Sequence, residues 1–332
     1  MASRRPSHQT VVRKASDWAQ EWRWHTEALI TRLLLAVLQG RSHRTMRRGI
    51  RWARRLAQPA LQPRLQTATA NLERVYGEQL SPKQRQIVAE QSLDSFFLSC
   101  LESIIQPVDD HLIQVEGEGL DDLFRCQQEG QGFIVGSLHL GCWDIGLRWL
   151  SHHLNHLSVI YRPAHNPYTD PILNAARSSN SRCQWISQRD AKAMLQCLRQ
   201  GGSLVMMTDL YPHRGAVTAD FLGLSTKVAP GPLALSAKAR CPLFPVAHVR
   251  ENDGRFRLIC GKPLYPSDAA NDQQARAAAL LRWHEDWIQA YCEQYYWINR
   301  RWRPGDGSGE RVRTLGPPAE RVLALASPRH RG

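Results

Sequence analysis

One histidine and one aspartate, separated by four residues, are the clearest candidates for chemistry in this sequence. His139 follows an apolar run, residues 133–138, that predicts a short buried strand, and Asp144 follows Gly141 near the start of a predicted helix. If the chain bends back at Gly141, the carboxylate holds one imidazole nitrogen. The other nitrogen is then free to take a proton from a hydroxyl. The pattern therefore predicts a general base, His139, that Asp144 orients.

The same two residues also have an explanation without catalysis. A histidine at the end of a strand is often simply solvated. An aspartate in the first turn of a helix is favoured by the helix dipole whether or not it takes part in a reaction. Residue types and spacing alone leave both interpretations open.

The surrounding stretch carries a more specific signal. Residues 130–146, GQGFIVGSLHLGCWDIG, combine a glycine-rich turn, an apolar strand and a His-x-Gly-x-Trp-acid core. This stretch resembles the His-x4-Asp/Glu block of the glycerolipid acyltransferase superfamily and, within it, the late lipid A acyltransferases of Gram-negative bacteria. That branch usually carries Glu where this sequence has Asp144. The resemblance implies catalytic roles for His139 and Asp144, with Gly141 and Trp143 among the substrate-binding residues.

A second block follows the next predicted strand, residues 157–161. Arg162 comes directly after this strand, and Asn166 lies four residues further on. In the family an arginine at this place contacts the anionic part of the substrate, and the planar guanidinium suits phosphate oxygens. A surface salt bridge is the alternative for Arg162, and Asn166 is implied as a further substrate-binding residue.

A third block begins where the apolar residues 203–208 predict a strand that ends at Asp209. We predict that Asp209 pairs with Arg162 and fixes its guanidinium. Phe221 and Gly223 form a Phe-x-Gly turn, which the resemblance implies closes over the site. A final basic and aromatic block, residues 297–302, also resembles the family.

The alternation of predicted strands and helices between residues 130 and 249 indicates the fold class. It predicts an α/β fold with one catalytic domain, in which helices flank a mostly parallel central sheet. We expect residues 1–65 to form a basic, Trp-containing, membrane-facing helical region. Residues 66–303 form the expected acyltransferase domain, and residues 304–332 are expected to be a disordered tail.

The net charge of +13 belongs to the two ends of the chain. Residues 1–65 hold 14 Lys and Arg against 3 Asp and Glu, and residues 299–332 hold 8 against 3. The remaining residues hold 21 against 24. Such basic ends suit an anionic lipid surface, a nucleic acid or an acidic protein partner.

The N-terminal pattern favours a membrane surface among these partners. Its most apolar run, residues 28–38, is interrupted by Arg32 and is shorter than the ~20 residues that a membrane span needs. Three tryptophans precede the run, and arginines crowd a helical pattern after it. This combination is typical of a helix that lies in the interface of an anionic membrane. A helix docked on the protein with a solvated arginine face is one alternative. A nucleic-acid-binding arm is another, but no recognised nucleic-acid motif accompanies it.

The cysteines and histidines point away from a metal site. Eight cysteines lack paired C-x-x-C spacing, which indicates free thiols in a reducing compartment. His152 and His156 stand at helical spacing, but no third ligand is evident beside them, so a solvated helix end is the favoured interpretation.

The resemblance implies a peripheral or interfacially anchored acyltransferase on the cytoplasmic face of the bacterial inner membrane. It would move a fatty acyl group from an acyl carrier protein thioester to a hydroxyl of a lipid A precursor. No metal or organic cofactor is implied, because a thioester is already activated. Backbone amides around Gly141 are the expected oxyanion donors.

Two alternatives remain open at this stage. A glycerophospholipid or other glycolipid acyltransferase would use the same dyad on another acceptor. A non-enzymatic peripheral membrane or nucleic-acid-binding protein would use only the basic ends.

Overall fold

A seven-stranded sheet forms the centre of the computed structural model, which describes residues 15–38, 41, 43–102, 109–178, 181–212, 215–303 and 307–320. The strands are β1 (Ile113–Glu116), β2 (Phe133–Ser137), β3 (Leu157–Tyr161), β4 (Gln184–Ser187), β5 (Ser203–Met207), β6 (Val217–Phe221), β7 (Leu224–Val228), β8 (Leu243–Arg250) and β9 (Phe256–Cys260). Their order in the sheet is β1-β9-β8-β2-β5-β3-β4, while β6 and β7 form a separate hairpin. Within the seven-stranded sheet every pairing from β8 to β4 is parallel, β1 is parallel to β9, and only β8 and β9 pair antiparallel. The predicted α/β class with a mostly parallel sheet is confirmed.

Helices cover both faces of this sheet in the described part of the chain. They are α1 (Ala15–Leu38), α2 (His43–Leu56), α3 (Gln58–Tyr76), α4 (Pro82–Glu102), α5 (Leu120–Gln128), α6 (Trp143–His153), α7 (Thr169–Ser178), α8 (Ala191–Arg199), α9 (Gly231–Ala239) and α10 (Asp272–Ala290). Alternate residues of β2 belong to different cores. Ile134 packs in the cluster that includes α8, α9 and α10, whereas Phe133 and Val135 pack in the cluster with α5 and α6. Because both faces are covered, β2 is an unbroken buried run.

Local sequence signals set the start of α4. The backbone N–H of Ser81 donates to Gln84 Oε1 at 2.9 Å, and the N–H of Gln84 donates to Ser81 Oγ at 3.3 Å. This reciprocal pair is a capping box, and Pro82 occupies the first helical position, where its missing N–H costs nothing.

The N-terminal helices are attached to the body through α4 and α7. Arg54 of α2 contacts Asp94 and Glu90 of α4 at 2.7 and 3.0 Å, and Met46 and Ile50 pack beside Leu98. The expected boundary at residue 65 falls inside α3, whose buried residues continue into the main core. The helical region and the body are therefore not separated there. None of the helices in the described ranges combines the length and apolar character that a membrane span requires.

The C-terminal segment corrects another expectation. Residues 307–320 pack on the β6–β7 hairpin: Gly309 donates to Ser225 O, Ser225 donates to Glu310 O, and Arg313 contacts Asp220 at 2.5 Å. Leu315 is buried in the main core. The prediction of a disordered tail is wrong for this stretch, because backbone pairing and arginine contacts hold it. Residues 1–14, 304–306 and 321–332 lie outside the described residues.

Candidate active site

The register of two adjacent parallel strands brings His139 and Asp209 together. Ser137 of β2 pairs with Met207 of β5, so the residues two positions beyond each strand end meet at the same edge. The connecting residue Thr208 reinforces the alignment, since both its N–H and its hydroxyl donate to Ser137 O, at 2.8 and 2.9 Å. This edge is the carboxyl end of the parallel strands, where open α/β sheets bind ligands.

Asp209 holds His139 by two contacts. One carboxylate oxygen lies 2.8 Å from Nδ1 of the imidazole, and the other accepts the backbone N–H of His139 at 3.0 Å. The Asp209 side chain is fully buried, whereas 17% of the His139 side chain is exposed. With Nδ1 against a carboxylate, the proton sits on Nδ1 and the lone pair of Nε2 remains available.

The pKa values of the two groups move apart in the directions expected for such a pair. Burial alone would lower the pKa of His139, but the charge of Asp209 and its hydrogen bond outweigh burial and hold the pKa above its ordinary value. Burial alone would raise the pKa of Asp209, yet its contacts with His139 hold it below the usual range. Asp209 therefore stays ionised beside the imidazole.

Two expectations from the sequence are corrected by this geometry. The prediction that Asp209 pairs with Arg162 is wrong, because both Asp209 oxygens contact His139 and the Arg162 side chain is exposed. The orienting contact at Nδ1, expected from Asp144, is made by Asp209. Asp144 is half-buried, lines the same cavity as His139 and adds to the rise in the pKa of His139.

The Gly141 turn, residues 139–142, is fixed by its backbone. Gly141 has φ +61°, and a Cβ there would lie 2.1 Å from His248 O, so only glycine fits. Its N–H donates to Gln294 O at 3.1 Å, and its carbonyl accepts the Ser99 hydroxyl. Because its N–H is already bonded, Gly141 itself is not one of the oxyanion donors expected around this turn.

A cavity of about 230 Å³, which we call the His139 cavity, opens beside the imidazole. Its polar lining includes His139, Asp144, Arg177 and His248, and its apolar lining comes from α4, α6 and strands β3, β4 and β5. Trp143 and Tyr296 both contact the imidazole, each with its ring centroid 5.3 Å from that of His139. The site thus combines one available imidazole nitrogen with an apolar chamber.

The comparison with known proteins agrees with this site. Residues 19–304 match the model of a family described as bacterial lipid A biosynthesis acyltransferase. The chain belongs to this family. Membership of this family makes the chain an acyltransferase of the lipid A biosynthesis type. It excludes the alternative of a non-enzymatic membrane or nucleic-acid-binding protein.

Individual relatives are distant but cover much of the chain. A lipid A biosynthesis palmitoleoyltransferase of Escherichia coli is 25% identical over 255 residues, which is 75% of this chain and 81% of the relative. A lauroyltransferase of the same organism is 23% identical over 56% of this chain and 60% of its own length. A phosphatidylinositol mannoside acyltransferase of Mycolicibacterium smegmatis is 22% identical over 86% and 92%.

Three other residues predicted for the site, Asn166, Phe221 and Gly223, make structural contacts in this acyltransferase. Asn166 Oδ1 accepts the N–H groups of Tyr168 and Thr169 at the start of α7, and its Nδ2 donates to Trp24 O of α1 at 3.0 Å. Phe221 is fully buried next to Trp302 in the core, and Gly223, with φ +73°, forms the turn of the β6–β7 hairpin. Neither Phe221 nor Gly223 belongs to the lining of the His139 cavity.

Several residues of the site were missed by sequence reasoning. Tyr296 reaches the imidazole because its N–H donates to His139 O at 3.1 Å, and Arg177 comes to the cavity from α7. His248 arrives from β8. The aromatic block that begins at Trp297 was a signal for Tyr296, whereas nothing local marks Arg177 or His248.

The remaining reactive groups have other roles. Within the described residues, no cluster of three His, Cys, Asp or Glu side chains is close enough to hold a metal, and His152 and His156 are exposed. Cys100 lines the His139 cavity, but burial raises the pKa of its thiol to about 12, so it is not a ready nucleophile. All eight cysteines are free thiols.

Proposed function

We propose that this acyltransferase moves a fatty acyl group from an acyl carrier protein thioester to a hydroxyl of a lipid A precursor. The observation that carries the proposal is the His139–Asp209 pair beside an apolar cavity, in a chain of the lipid A family. The names of two relatives, a palmitoleoyltransferase and a lauroyltransferase, support a long-chain acyl group.

In the proposed reaction, Nε2 of His139 takes the proton of the acceptor hydroxyl as its oxygen attacks the thioester carbonyl. Asp209 stabilises the imidazolium that forms, because its buried carboxylate stays ionised at Nδ1. The tetrahedral intermediate then expels the thiolate of the donor. The proton on Nε2 passes to that sulfur, which returns the imidazole to its starting form.

Asp144 and Arg162 receive different proposed roles. Asp144 lines the cavity with His139, so we assign it to the acceptor side as a second carboxylate that favours the imidazolium. Arg162 follows β3, which is paired with β5, and its exposed guanidinium is accessible to a lipid phosphate. Both roles rest on position along the carboxyl edge of the sheet.

The apolar part of the His139 cavity is the proposed place of the acyl chain. Leu147 and Leu150 of α6 line this part together with Val159 and Val205 of the sheet. Each methylene that leaves water contributes about 0.8 kcal/mol, so the extent of this apolar lining should influence which chain lengths are preferred. Larger side chains at these four positions would fill part of the cavity and shift the preference towards shorter acyl chains.

Helix α1 supports attachment to a membrane surface. Trp22, Leu33 and Val37 lie on one stripe of α1 and are 72%, 58% and 62% exposed. Exposed apolar surface of this kind is costly in water and suits the membrane interface, with α2 presenting exposed arginines beside it. We propose peripheral attachment to the anionic cytoplasmic face of the inner membrane, where the basic ends of the chain also steer the acidic donor protein.

The deciding experiment is a donor and acceptor panel with purified protein. Labelled acyl chains on acyl carrier protein and on coenzyme A are offered with a lipid A precursor, a lysophospholipid and a phosphatidylinositol mannoside. We expect transfer to the lipid A precursor from acyl carrier protein, and loss of transfer in a folded His139→Ala variant. Activity in that variant would contradict the mechanism, and preference for another acceptor would contradict the substrate.

The phosphatidylinositol mannoside is included for a specific reason. The phosphatidylinositol mannoside acyltransferase matches 86% of this chain, whereas the two lipid A relatives match 75% and 56%. A glycolipid acceptor of that kind is the second candidate function, and the identity of the labelled product separates the two.

A further inference from the structure

A polar stripe on α4 faces the Gly141 turn and the segment that supports it. Ser92, Ser95, Ser99 and Glu102 follow one another at helical spacing and are all buried. The Ser92 hydroxyl donates to Tyr295 O, and the Ser99 hydroxyl donates to Gly141 O. A helix that presents hydroxyls and a carboxylate to the core needs partners for them, because an unpaired buried polar group is costly.

Arg250, at the end of β8, supplies those partners. Its Nε and Nη2 contact the two oxygens of Glu102 at 2.7 and 2.5 Å, and the two side chains are only 8% and 1% exposed. Nη1 donates to Ser95 Oγ at 2.9 Å, and Nη2 donates to Ser99 Oγ at 2.5 Å. This is a bidentate, charge-assisted arrangement that allows few other geometries.

The same arginine fixes both sides of the turn. The Ser99 hydroxyl accepts a hydrogen bond from Arg250 and donates one to Gly141 O. The positive charge of Arg250 therefore polarises the hydroxyl and strengthens its bond to the carbonyl. On the opposite side Gly141 N–H donates to Gln294 O, and the Gln294 amide exchanges two hydrogen bonds with the Arg250 backbone, at 3.0 and 2.9 Å. The carbonyl and the amide of Gly141 are therefore both tied to Arg250.

Stability alone is a poor reason for such an arrangement. A buried ion pair often contributes no more to stability than apolar residues of the same volume, because removing two charges from water is costly. What the buried ion pair does provide is a fixed geometry for the groups that it contacts. Gly141 lies two residues after His139, so any slack in the turn moves the imidazole relative to a bound substrate.

We propose that the Glu102–Arg250 pair is a positioning device for acyl transfer, which acts through Ser99 to fix the Gly141 turn and hence His139. The proposal rests on the proposed role of His139 as general base. Glu102, Arg250 and Ser99 do not touch the reacting atoms. They hold the backbone from which the base extends.

The chain offers a matched control cluster between α9 and α10. Arg276 is buried, contacts Asp272 at 2.6 Å and donates to Ser236 Oγ at 2.9 Å. The Ser236 hydroxyl in turn donates to Cys241 O at 2.6 Å. Ser99 and Ser236 are both fully buried, accept from a paired arginine and donate to a backbone carbonyl, but only Ser99 is joined to the Gly141 turn.

The test compares Ser99→Ala with Ser236→Ala in the full chain. We expect both variants to lose a similar few degrees of melting temperature, since each loses equivalent buried hydrogen bonds. Only Ser99→Ala should lose kcat, by roughly tenfold or more, while KM for the acceptor changes less than twofold. Such a loss of kcat alone is the mark of an interaction that matters in the transition state.

A second pair of variants guards against an uninformative result. Arg250→Lys keeps the charge but loses the fork that reaches Ser99, so it should repeat the kcat loss, whereas Arg276→Lys should not. Equal kcat in Ser99→Ala and Ser236→Ala, or a loss confined to KM, would overturn the positioning role. Full activity in His139→Ala would instead overturn the proposed function, so the two failures are distinguishable.

Discussion

The mostly buried His139 and the fully buried His248 and His284 have opposite acid–base character. His139 has a carboxylate at Nδ1, and its pKa lies above the ordinary value in spite of burial. His248 and His284 have no such partner among the described residues: Nδ1 of each is buried without a hydrogen bond. Burial lowers their pKa values to about 3 and about 4. Burial alone makes a histidine neutral and structural, and a carboxylate makes it a base.

The two environments are also physically linked. His248 lines the His139 cavity from β8, and His284 Nε2 contacts Gly136 O of β2 at 3.2 Å, so the neutral pair supports the strands that carry the base. The close packing of His248 against α6 leaves room only for glycine at residue 146. Histidines near one cavity thus differ in role: His248 and His284 are packing residues, and His139 is the proposed base.

Removal of the Asp209 carboxylate should erase the difference between His139 and the two neutral histidines. Asp209→Asn should lower kcat by about 10²-fold or more, because the amide no longer stabilises the imidazolium or selects the Nδ1–H form. Asp144→Asn should lose less, since Asp144 is half-buried and is not the carboxylate at Nδ1. Initial rates of labelled acyl transfer measure both. Equal losses of kcat in the two variants would mean that the contact of Asp209 with Nδ1 contributes no more to catalysis than Asp144 does.

A substitution at Gly146 in α6 tests how tightly His248 is packed. A Cβ there would lie 1.8 Å from His248 Nδ1, so Gly146→Ala should lower the free energy of unfolding by about 1–3 kcal/mol or more. Gly49 of α2 is a helical glycine with open space around it, and Gly49→Ala should instead stabilise by about 0.5–1 kcal/mol. Urea unfolding measures both changes. A Gly146→Ala protein as stable as the wild type would show that His248 is not tightly packed.

Acid unfolding tests the neutral pair. The folded pKa values of His248 and His284 lie below the unfolded value near 6.5, so stability is full above pH 6.5 and falls as the pH drops towards 4. Between pH 6.5 and pH 5, each histidine should lower the free energy of unfolding by about 1.5 kcal/mol. His284→Gln should reduce this slope, while a substitution of exposed His152 should not. A slope that is identical in all three proteins would refute the assignment.

The pH profile of transfer gives the smallest but most direct signal. His139 must be neutral to accept a proton, so activity should rise with pH through a midpoint above 6.5, in keeping with its raised pKa. Asp209→Asn should move the remaining midpoint downwards, because burial then acts with less opposition from nearby charge. The profile of kcat/KM measures the shift. An unmoved midpoint would indicate that another group titrates.

Much of the fold was accessible from the sequence, and parts of the site were not. The strand before His139 and the capped start of α4 follow from local patterns, which neighbouring residues determine. The partner of His139 was misassigned because Asp144 is near in sequence, whereas Asp209 lies 70 positions away. The C-terminal segment was misjudged because its glycines and prolines gave no sign of the hairpin that receives it.

The sequence by itself determined the α/β class, the identity of His139 as the candidate base and the concentration of positive charge at the ends. These properties depend on periodicity, residue type and composition. Only the folded arrangement shows that Asp209 is the carboxylate at His139, that the Gly141 amide is already bonded, and that Arg250 reaches the turn. Strand register and helix packing set these contacts, and both are sums over residues far apart in the chain.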